Sequence, residues 1–243
     1  MHFLLVNDDG LNAPGILAMA NEILRCGHTF RCCAPDRERS AASHGFSLNT
    51  PLHPVLSTLA GQEAYALDGT PADCAYAGLW LYRDEKFDMA ISGINNGTNL
   101  GTSCIYSGTV GAAMEASQHG APAIASSIHV NDDYETAAAF TLRFALWAIE
   151  HPLPRGDIYN LNFPWLNLPY HPELQIAKLA PMFMGTPRLH PSPEGYRIAD
   201  GAGIGPDVEG QDDYLNRQGY ITVTPVTWNC VSACGMDQPD LTL

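Results

Sequence analysis

Positive charge is scarce in this chain. Of 243 residues only 12 are Lys or Arg, against 26 Asp or Glu, and the formal net charge is −14 at pH 7. A protein that grips a nucleic-acid polymer needs a basic face, so this balance argues against that class. A small anionic substrate is still compatible, because a bound metal and helix N-termini can supply the positive field. Long apolar runs are also missing. None approaches the ~20 residues of a membrane span, so no membrane partner is expected. The N-terminus has neither the basic flank nor the long apolar core of a signal peptide. The seven cysteines, Cys26, Cys32, Cys33, Cys74, Cys104, Cys230 and Cys234, form no CxxC pair. An odd count without such a pair points to reduced thiols in the cytoplasm. Cys230 and Cys234 lack a second pair or a neighbouring His and read as structural or incidental. Internal repeats are absent, as are a Walker A loop and a GxGxxG fingerprint.

What is present is a core. Apolar residues make up 46% of the chain, and the length fits one large α/β domain or one domain with an appendage. The apolar run Phe3-Leu4-Leu5-Val6 reads as a buried strand. Residues 11–25 read as a helix, with Pro14 at its first position and Gly27 closing it. Residues 29–34 read as a second strand, so the chain opens strand–helix–strand, the start of a parallel sheet. Short strands are expected within 46–68, around Leu48, Val55 and Tyr65. Thr70-Pro71-Ala72-Asp73 has the form of a capped helix start, and that helix runs to about Tyr82. Further strands are expected at 87–92, 123–128, 157–163, 175–179 and 221–225, and helices at 107–118 and 134–150. From about Pro181 to Asp213 prolines and glycines are dense and the periodicity fails, which suggests a hairpin arm or lid. The expected organisation is a catalytic core over 1–180, then a hairpin, a final strand and a tail over 181–243.

Three places carry chemistry. Asn7-Asp8-Asp9-Gly10 sets two adjacent carboxylates at the end of a buried strand. They repel one another unless one stays protonated or both meet a cation, and strand carboxyl ends are where ligands bind in such folds. Asp8 and Asp9 therefore either hold a divalent metal, or Asp8 caps a turn and Asp9 begins an Asp-Gly turn. The loop from Gly93 to Gly101 holds three Asn and three Gly in a stretch of nine residues without charge. Its glycines let the backbone approach a ligand, and its Asn carbonyls are hard oxygen donors. Ser107-Gly108-Thr109-Val110-Gly111 opens a helix with small residues, leaving N–H groups open to an anion. The bland alternatives are a tight loop and an ordinary Ser/Thr cap.

Asn7-Asp8-Asp9-Gly10, Ala34-Pro35-Asp36 with Ser40, Gly69-Thr70-Pro71-Ala72-Asp73, Ser92-Gly93-Ile94-Asn95 and Tyr106-Ser107-Gly108-Thr109-Val110 occur in that order. With Asn160-Leu161-Asn162-Phe163-Pro164 and Gly219-Tyr220-Ile221, this set resembles the SurE family over most of the chain. The resemblance implies an α/β fold, a Rossmann-like, mostly parallel sheet flanked by helices, with a C-terminal hairpin used in oligomerisation. It implies a 5′/3′-nucleotidase of the metal-dependent acid-phosphatase type, acting on nucleoside monophosphates. Asp8, Asp9, Ser40 and Asn95 match the family's metal ligands, and Asn99, Ser107, Gly108 and Thr109 its phosphate contacts. An all-oxygen set of this kind suits one Mn²⁺ or Mg²⁺ per subunit. Asp8 or Asp9 is the expected acceptor of the attacking water's proton, with His44 outside the assigned set. A homodimer or homotetramer is the implied assembly. Two departures stand out: Ala41 follows Ser40 where the family usually has Gly, and Ala116 replaces a Gly in the helix after the phosphate loop. The rival readings are a receiver-type signalling module, which needs a further Asp at a central strand's end, and a non-catalytic Mg- or nucleotide-binding protein on the same fold.

Overall fold

The computed structural model describes residues 1–181, 189–198 and 207–227. Its centre is β1 (His2–Val6), whose last four side chains are buried. Burying a Leu, Val or Phe side chain is worth roughly 1.5–3 kcal/mol, and β1 is covered on both faces. α1 (Pro14–Arg25) follows and buries Ile16, Met19, Ala20 and Ile23 on one stripe. The helix starts at Pro14 rather than at Leu11, because Asn7 to Gly10 and the next residues are folded into a turn. β2 (Thr29–Pro35) pairs parallel with β1. β3 (Val55–Leu59) and β4 (Gln62–Leu67) form an antiparallel pair. No strand forms at Leu48, which is exposed and faces no partner strand. α2 (Pro71–Leu81) has the full capping box: the Asp73 N–H donates to Thr70 Oγ1, and the Thr70 N–H to the Asp73 carboxylate.

β5 (Met89–Asn96) continues past the expected stop at Ser92. Its pairing with β6 (Ala123–Ile128) shifts register between Ser92 and Asn95 and then resumes, so Asn95 and Asn96 remain in the sheet. A 3₁₀ turn (Gly101–Tyr106) leads into α3 (Gly108–Gln118). α4 (Tyr134–Glu150) has the expected bounds and is capped by the Asp133 carboxylate, which accepts from the N–H groups of Glu135 and Thr136. β7 (Ile158–Asn162) follows. β8 (His171–Ile176) lies earlier than the expected 175–179. It is a largely exposed edge strand, so the apolar spacing that marks buried strands is missing there.

β9 (Leu189–Ser192) and β10 (Gly195–Ile198) make the antiparallel hairpin in the irregular region. Met182, Phe183, Met184, Cys230 and Cys234 lie outside the described residues. α5 (Asp212–Arg217) precedes β11 (Tyr220–Val226). That last strand, grouped above with the residues after 180, is built into the core sheet between β7 and β8.

The nine-stranded sheet runs β3-β4-β2-β1-β5-β6-β7-β11-β8. β4, β2, β1, β5, β6 and β7 are parallel, β3 runs against β4, and β11 runs against β7 while pairing parallel with β8. The fold is α/β and Rossmann-like. From β1 the chain moves one way to β2, and from β5 the other way to β6, so the crevice between β1 and β5 is the switch point where such sheets bind ligands. α1 and α4 pack with Ile16, Met19, Ala137 and Leu142 in one core. α2 and α3 pack with Cys74, Ala75, Val110 and Ala113 in the other. The crossovers β5–α3–β6 and β6–α4–β7 therefore step in one direction over opposite faces. They have opposite hands, one of them against the usual right-handed preference. Among the described residues no helix is long and apolar enough to cross a membrane.

Candidate active site

The turn after β1 is held by its own first residue. Asn7 is fully buried; its Nδ2 donates to the Gly10 carbonyl at 2.8 Å, and its Oδ1 accepts from the Gly10 N–H at 3.2 Å. Gly10 sits at φ +101°, and a Cβ there would lie 3.1 Å from the Arg37 carbonyl carbon. This closed turn fixes the backbone of the two aspartates between its ends.

Asp8 is 4% exposed and accepts a 2.6 Å hydrogen bond from the Thr109 hydroxyl at Oδ1. Gly108 lies against it: a Cβ on Gly108 would meet Asp8 Cβ at 3.0 Å and Oδ2 at 3.1 Å. The N-terminus of α3 thus abuts the acidic pair. Asp9 is half-buried, and its Oδ2 accepts from the Asn96 N–H at 3.0 Å. Burial pushes the Asp8 carboxyl up to about 6; the Thr109 hydroxyl opposes this and the Asp9 charge adds to it. Burial also raises Asp9, against the Asn96 N–H and with Glu38 adding like charge. Neither aspartate makes an ion pair among the described residues. Two desolvated carboxylates without a basic partner are the electrostatic setting a cation relieves.

The other expected metal ligands border this pair. Ser40 lies in the exposed loop after β2, one residue beyond Arg39, whose N–H donates to the Asp8 carbonyl at 2.8 Å. The Ser40 hydroxyl donates to Glu38 at 2.7 Å. Ala41 holds φ +58°, a left-handed conformation that suits the Gly usual there and costs an alanine ~1–2 kcal/mol. Asn95, at the end of β5, donates from Nδ2 to the Gly97 carbonyl at 2.6 Å, and its Oδ1 has no hydrogen-bond partner among the described residues. Among the described residues no three His, Cys, Asp or Glu side chains converge as a metal cluster. A cation here would rest on two carboxylates supplemented by the neutral oxygens of Asn95 and Ser40. That donor set fits a hard, oxygen-preferring ion.

The expected phosphate contacts divide. Ser107 caps α3, its buried Oγ accepting from the Val110 N–H at 3.1 Å. Thr109 directs its hydroxyl to Asp8, so its side chain links the two expected groups of residues. Among the described residues Asn99 makes no hydrogen bond to either aspartate. Its N–H donates to Asn162 Oδ1 at 2.7 Å, its carbonyl accepts from Asn160 Nδ2 at 2.8 Å and from Asn162 Nδ2 at 3.2 Å, and its own Nδ2 donates to Ser127 at 2.9 Å. His44 is turned away from the aspartates, onto Glu115 at 2.7 Å.

Sequence reasoning missed the far wall of the site. A cleft of about 320 Å³ opens beside Asp9, bordered by Asn12, Arg37, Asn96 and Tyr134. Tyr134 is the first residue of α4, 125 positions from Asp9 in a different motif, and no local pattern marks it. Burial and the Asp9 charge push its phenol up to about 12. Asn160 and Asn162 stood within a recognised motif, but their grip on Asn99 was not apparent from it.

The family model described as survival protein SurE matches residues 3–185. The chain is 40% identical over 236 residues to the 5′-nucleotidase SurE of Geobacter sulfurreducens, covering 93% of this chain and 87% of that protein. It is 33% identical over 275 residues to the 5′-nucleotidase SurE of Nostoc sp., covering 98% and 97%. Among solved structures, the SurE protein from Aquifex aeolicus is similar with a TM-score of 0.77 at 30% identity, covering 95% of both chains.

Proposed function

The chain belongs to the SurE family, and from that premise we propose that it is a divalent-metal-dependent phosphomonoesterase. It hydrolyses nucleoside 5′- and 3′-monophosphates to nucleoside and phosphate. The nucleotidase activity is supported by the names of relatives that align along nearly the whole chain. The observation that carries the mechanism is the Asp8–Thr109 hydrogen bond with Gly108 packed beside it. It sets a seat for a cation against a helix N-terminus, which is a seat for an anion.

Asp8, Asp9, Asn95 and Ser40 would hold Mn²⁺ or Mg²⁺. When bound, the ion supplies Lewis-acid neutralisation at the phosphoryl group. The chain does the rest. The Ser107 hydroxyl, which accepts from Val110, still has its own proton to donate to a phosphate oxygen, and the first N–H groups of α3 stand beside it. Gly108 keeps that helix end free of side chain. Asn99, locked by Asn160, Asn162 and Ser127, would assist from its loop. Among the described residues Asp9 keeps one carboxylate oxygen without a hydrogen-bond partner, and it faces the open cleft, so it is better placed than Asp8 to take the proton of water. A receiver-type module is disfavoured, because the central strand β5 ends in Asn95 and Asn96 where a phosphoacceptor Asp would be required.

Assembly through the hairpin is part of the same proposal. Edge strand β8 and the hairpin carry exposed apolar side chains, with Ile176 78%, Tyr196 73% and Ile198 79% exposed. A second copy covering them would explain their composition. Sedimentation at micromolar concentration should show a dimer or tetramer; a monomer would remove this part. The main test is hydrolysis of 5′-AMP and 3′-AMP before and after exhaustive chelation. Activity should vanish with EDTA and return with Mn²⁺ or Mg²⁺. Full turnover in the chelated protein would refute the metal-dependent mechanism.

A further inference from the structure

We propose that Asp212 is a positioning residue for phosphate. Its buried carboxylate holds, through Gly101, the turn that sets Asn99 and Ser107 relative to one another, and it ties that turn to both roots of the β9–β10 arm. This rests on the phosphomonoesterase reading and adds a remote support to it.

The burial itself needs a cause. Asp212 opens α5 and is 0% exposed. It makes no ion pair among the described residues. A charge taken out of water is costly unless its oxygens are well occupied. Here they are occupied by three backbone N–H groups. Oδ2 accepts from Gly101 at 2.7 Å, and Oδ1 accepts from Ala180 at 2.8 Å and from Asp213 at 2.9 Å. A carboxylate at a helix start usually serves its own first turn. This one directs two of its three bonds elsewhere, and Gly101 lies 111 positions away. No local need of α5 accounts for that bond.

What the bond holds points to the site. Gly101 is the first residue of the 3₁₀ turn, and Ser107 follows its last residue directly. Asn99 stands two positions before it. The turn is therefore the spacer between two of the residues assigned to phosphate. Its second residue is pinned to the same place, since the Thr102 N–H donates to the Ala180 carbonyl at 3.1 Å. Ala180 is where the chain leaves the core for the arm. The chain returns at Gly210 to Asp212, where the Lys178 N–H donates to the Gly210 carbonyl and the Asp212 N–H to the Lys178 carbonyl. One carboxylate thus closes the arm's two roots onto the phosphate turn.

A carboxylate offers two acceptor oxygens, whereas the side chain of Asn offers one. In Asp212→Asn the amide carbonyl replaces the oxygen that serves both Ala180 and Asp213. The amide NH₂ then faces the Gly101 N–H, donor against donor. The variant keeps the shape and the arm's roots but releases the turn. A released turn must be reseated at each binding event, so apparent phosphate affinity falls by the fraction of time it is seated.

The test compares wild type and Asp212→Asn with Mn²⁺ and inorganic phosphate as probes. The inhibition constant of phosphate, and KM for 5′-AMP with it, should rise by about tenfold, the scale of one buried N–H left facing a donor. Mn²⁺ affinity by calorimetry should change much less, since Asp8, Asp9 and Asn95 are held by other elements. Equal losses of phosphate and Mn²⁺ affinity, or unchanged phosphate affinity, would overturn the assignment. If the variant does not fold, amide exchange on the wild type decides. Mn²⁺ with phosphate should slow the Gly101 and Ala180 amides together, because one carboxylate accepts from both. Slowing at Gly101 with Ala180 unchanged would overturn the link. Phosphate binding that depends on Asp212 in a wild type without phosphatase activity would sink the catalytic reading and keep the support. Phosphatase activity with phosphate affinity indifferent to Asp212→Asn would do the reverse.

Discussion

Asp8 and Asp9 are consecutive, yet they face two differently built halves of the molecule. Asp8 points into the packed side formed with α3. There the contacts are short and there is no spare volume. Asp9 points toward the α1 and α4 side, where Asn12, Asn96 and Tyr134 leave polar groups unengaged around open space. The two carboxylates thus differ in what their surroundings can change. The Asp8 side fixes a position by packing and leaves no room for a side chain at Gly108. The Asp9 side borders open space of about 320 Å³. A bimetallic or symmetric reading of the pair would miss this, because the asymmetry comes from the elements that flank each residue rather than from the residues themselves.

The comparison can be broken most forcefully at Asp8. The folded protein holds this carboxyl near 6 against an ordinary 3.8, chiefly through burial. A carboxyl raised in the folded state stays protonated there while the unfolded chain has ionised. Metal-free protein should therefore lose stability as pH rises from about 4 to about 6 and stay penalised above that, by as much as about 3 kcal/mol at ~1.4 kcal/mol per pH unit. Asp8→Asn should flatten this loss, raising the melting temperature of EDTA-treated protein at pH 7, while lowering turnover on the order of a hundredfold or more through the lost charge at the metal and phosphate. Melting curves between pH 4 and 8, with and without Mn²⁺, decide it. A metal-free wild type that gains stability across that interval would show that Asp8 is not penalised by its burial.

Ser107→Ala sharpens the same contrast from the phosphate side. It removes one donor to the transition state, worth roughly 2–4 kcal/mol. Because Ser107 also caps α3, it should cost about 1 kcal/mol of fold stability as well. Calorimetry should find Mn²⁺ affinity nearly intact and excess Mn²⁺ unable to restore the rate. Loss of metal binding as severe as in Asp9→Asn would merge the two groups of residues that are separated here.

The smallest effect belongs to the loop carrying Ser40. Ala41 holds a left-handed backbone conformation. Ala41→Gly should relieve part of that strain and stabilise the protein by about 0.5–1 kcal/mol, the entropy of the unfolded glycine offsetting the remainder. Chemical denaturation measures it, and a destabilised variant would mean that the loop's contacts, not its dihedral, set the cost.

Much of this was legible in local sequence. The Thr70 capping box, the Pro14 start and the bounds of β6 and α4 follow from signals that act within one or two turns of chain. The strand signal fades after Ser92 because Gly93, Asn95 and Asn96 are poor strand formers; β6 holds them in the sheet across a register shift. α5 is too short to show a period, and the insertion of β11 between β7 and β8 is a matter of topology that no strand announces. At the site, the motifs located the aspartates and the helix start, but not that Thr109 joins them. That hydrogen bond spans 101 positions, and the β7 amides that hold Asn99 lie 61 and 63 positions beyond it. Tyr134 had no motif at all.

The reversed hand of the β6–α4–β7 crossover sets a timetable. Because α4 crosses the same face as α1, the second wall of the cleft does not exist until residue 134 has emerged and docked. Thr109 precedes it, with α3 laid on the opposite face. At ~5–20 residues per second, a growing chain displays Asp8 and Asp9 for on the order of ten seconds before Tyr134 is made. During vectorial synthesis the wall that α3 lays beside Asp8 is therefore made before the wall that Tyr134 adds beside Asp9.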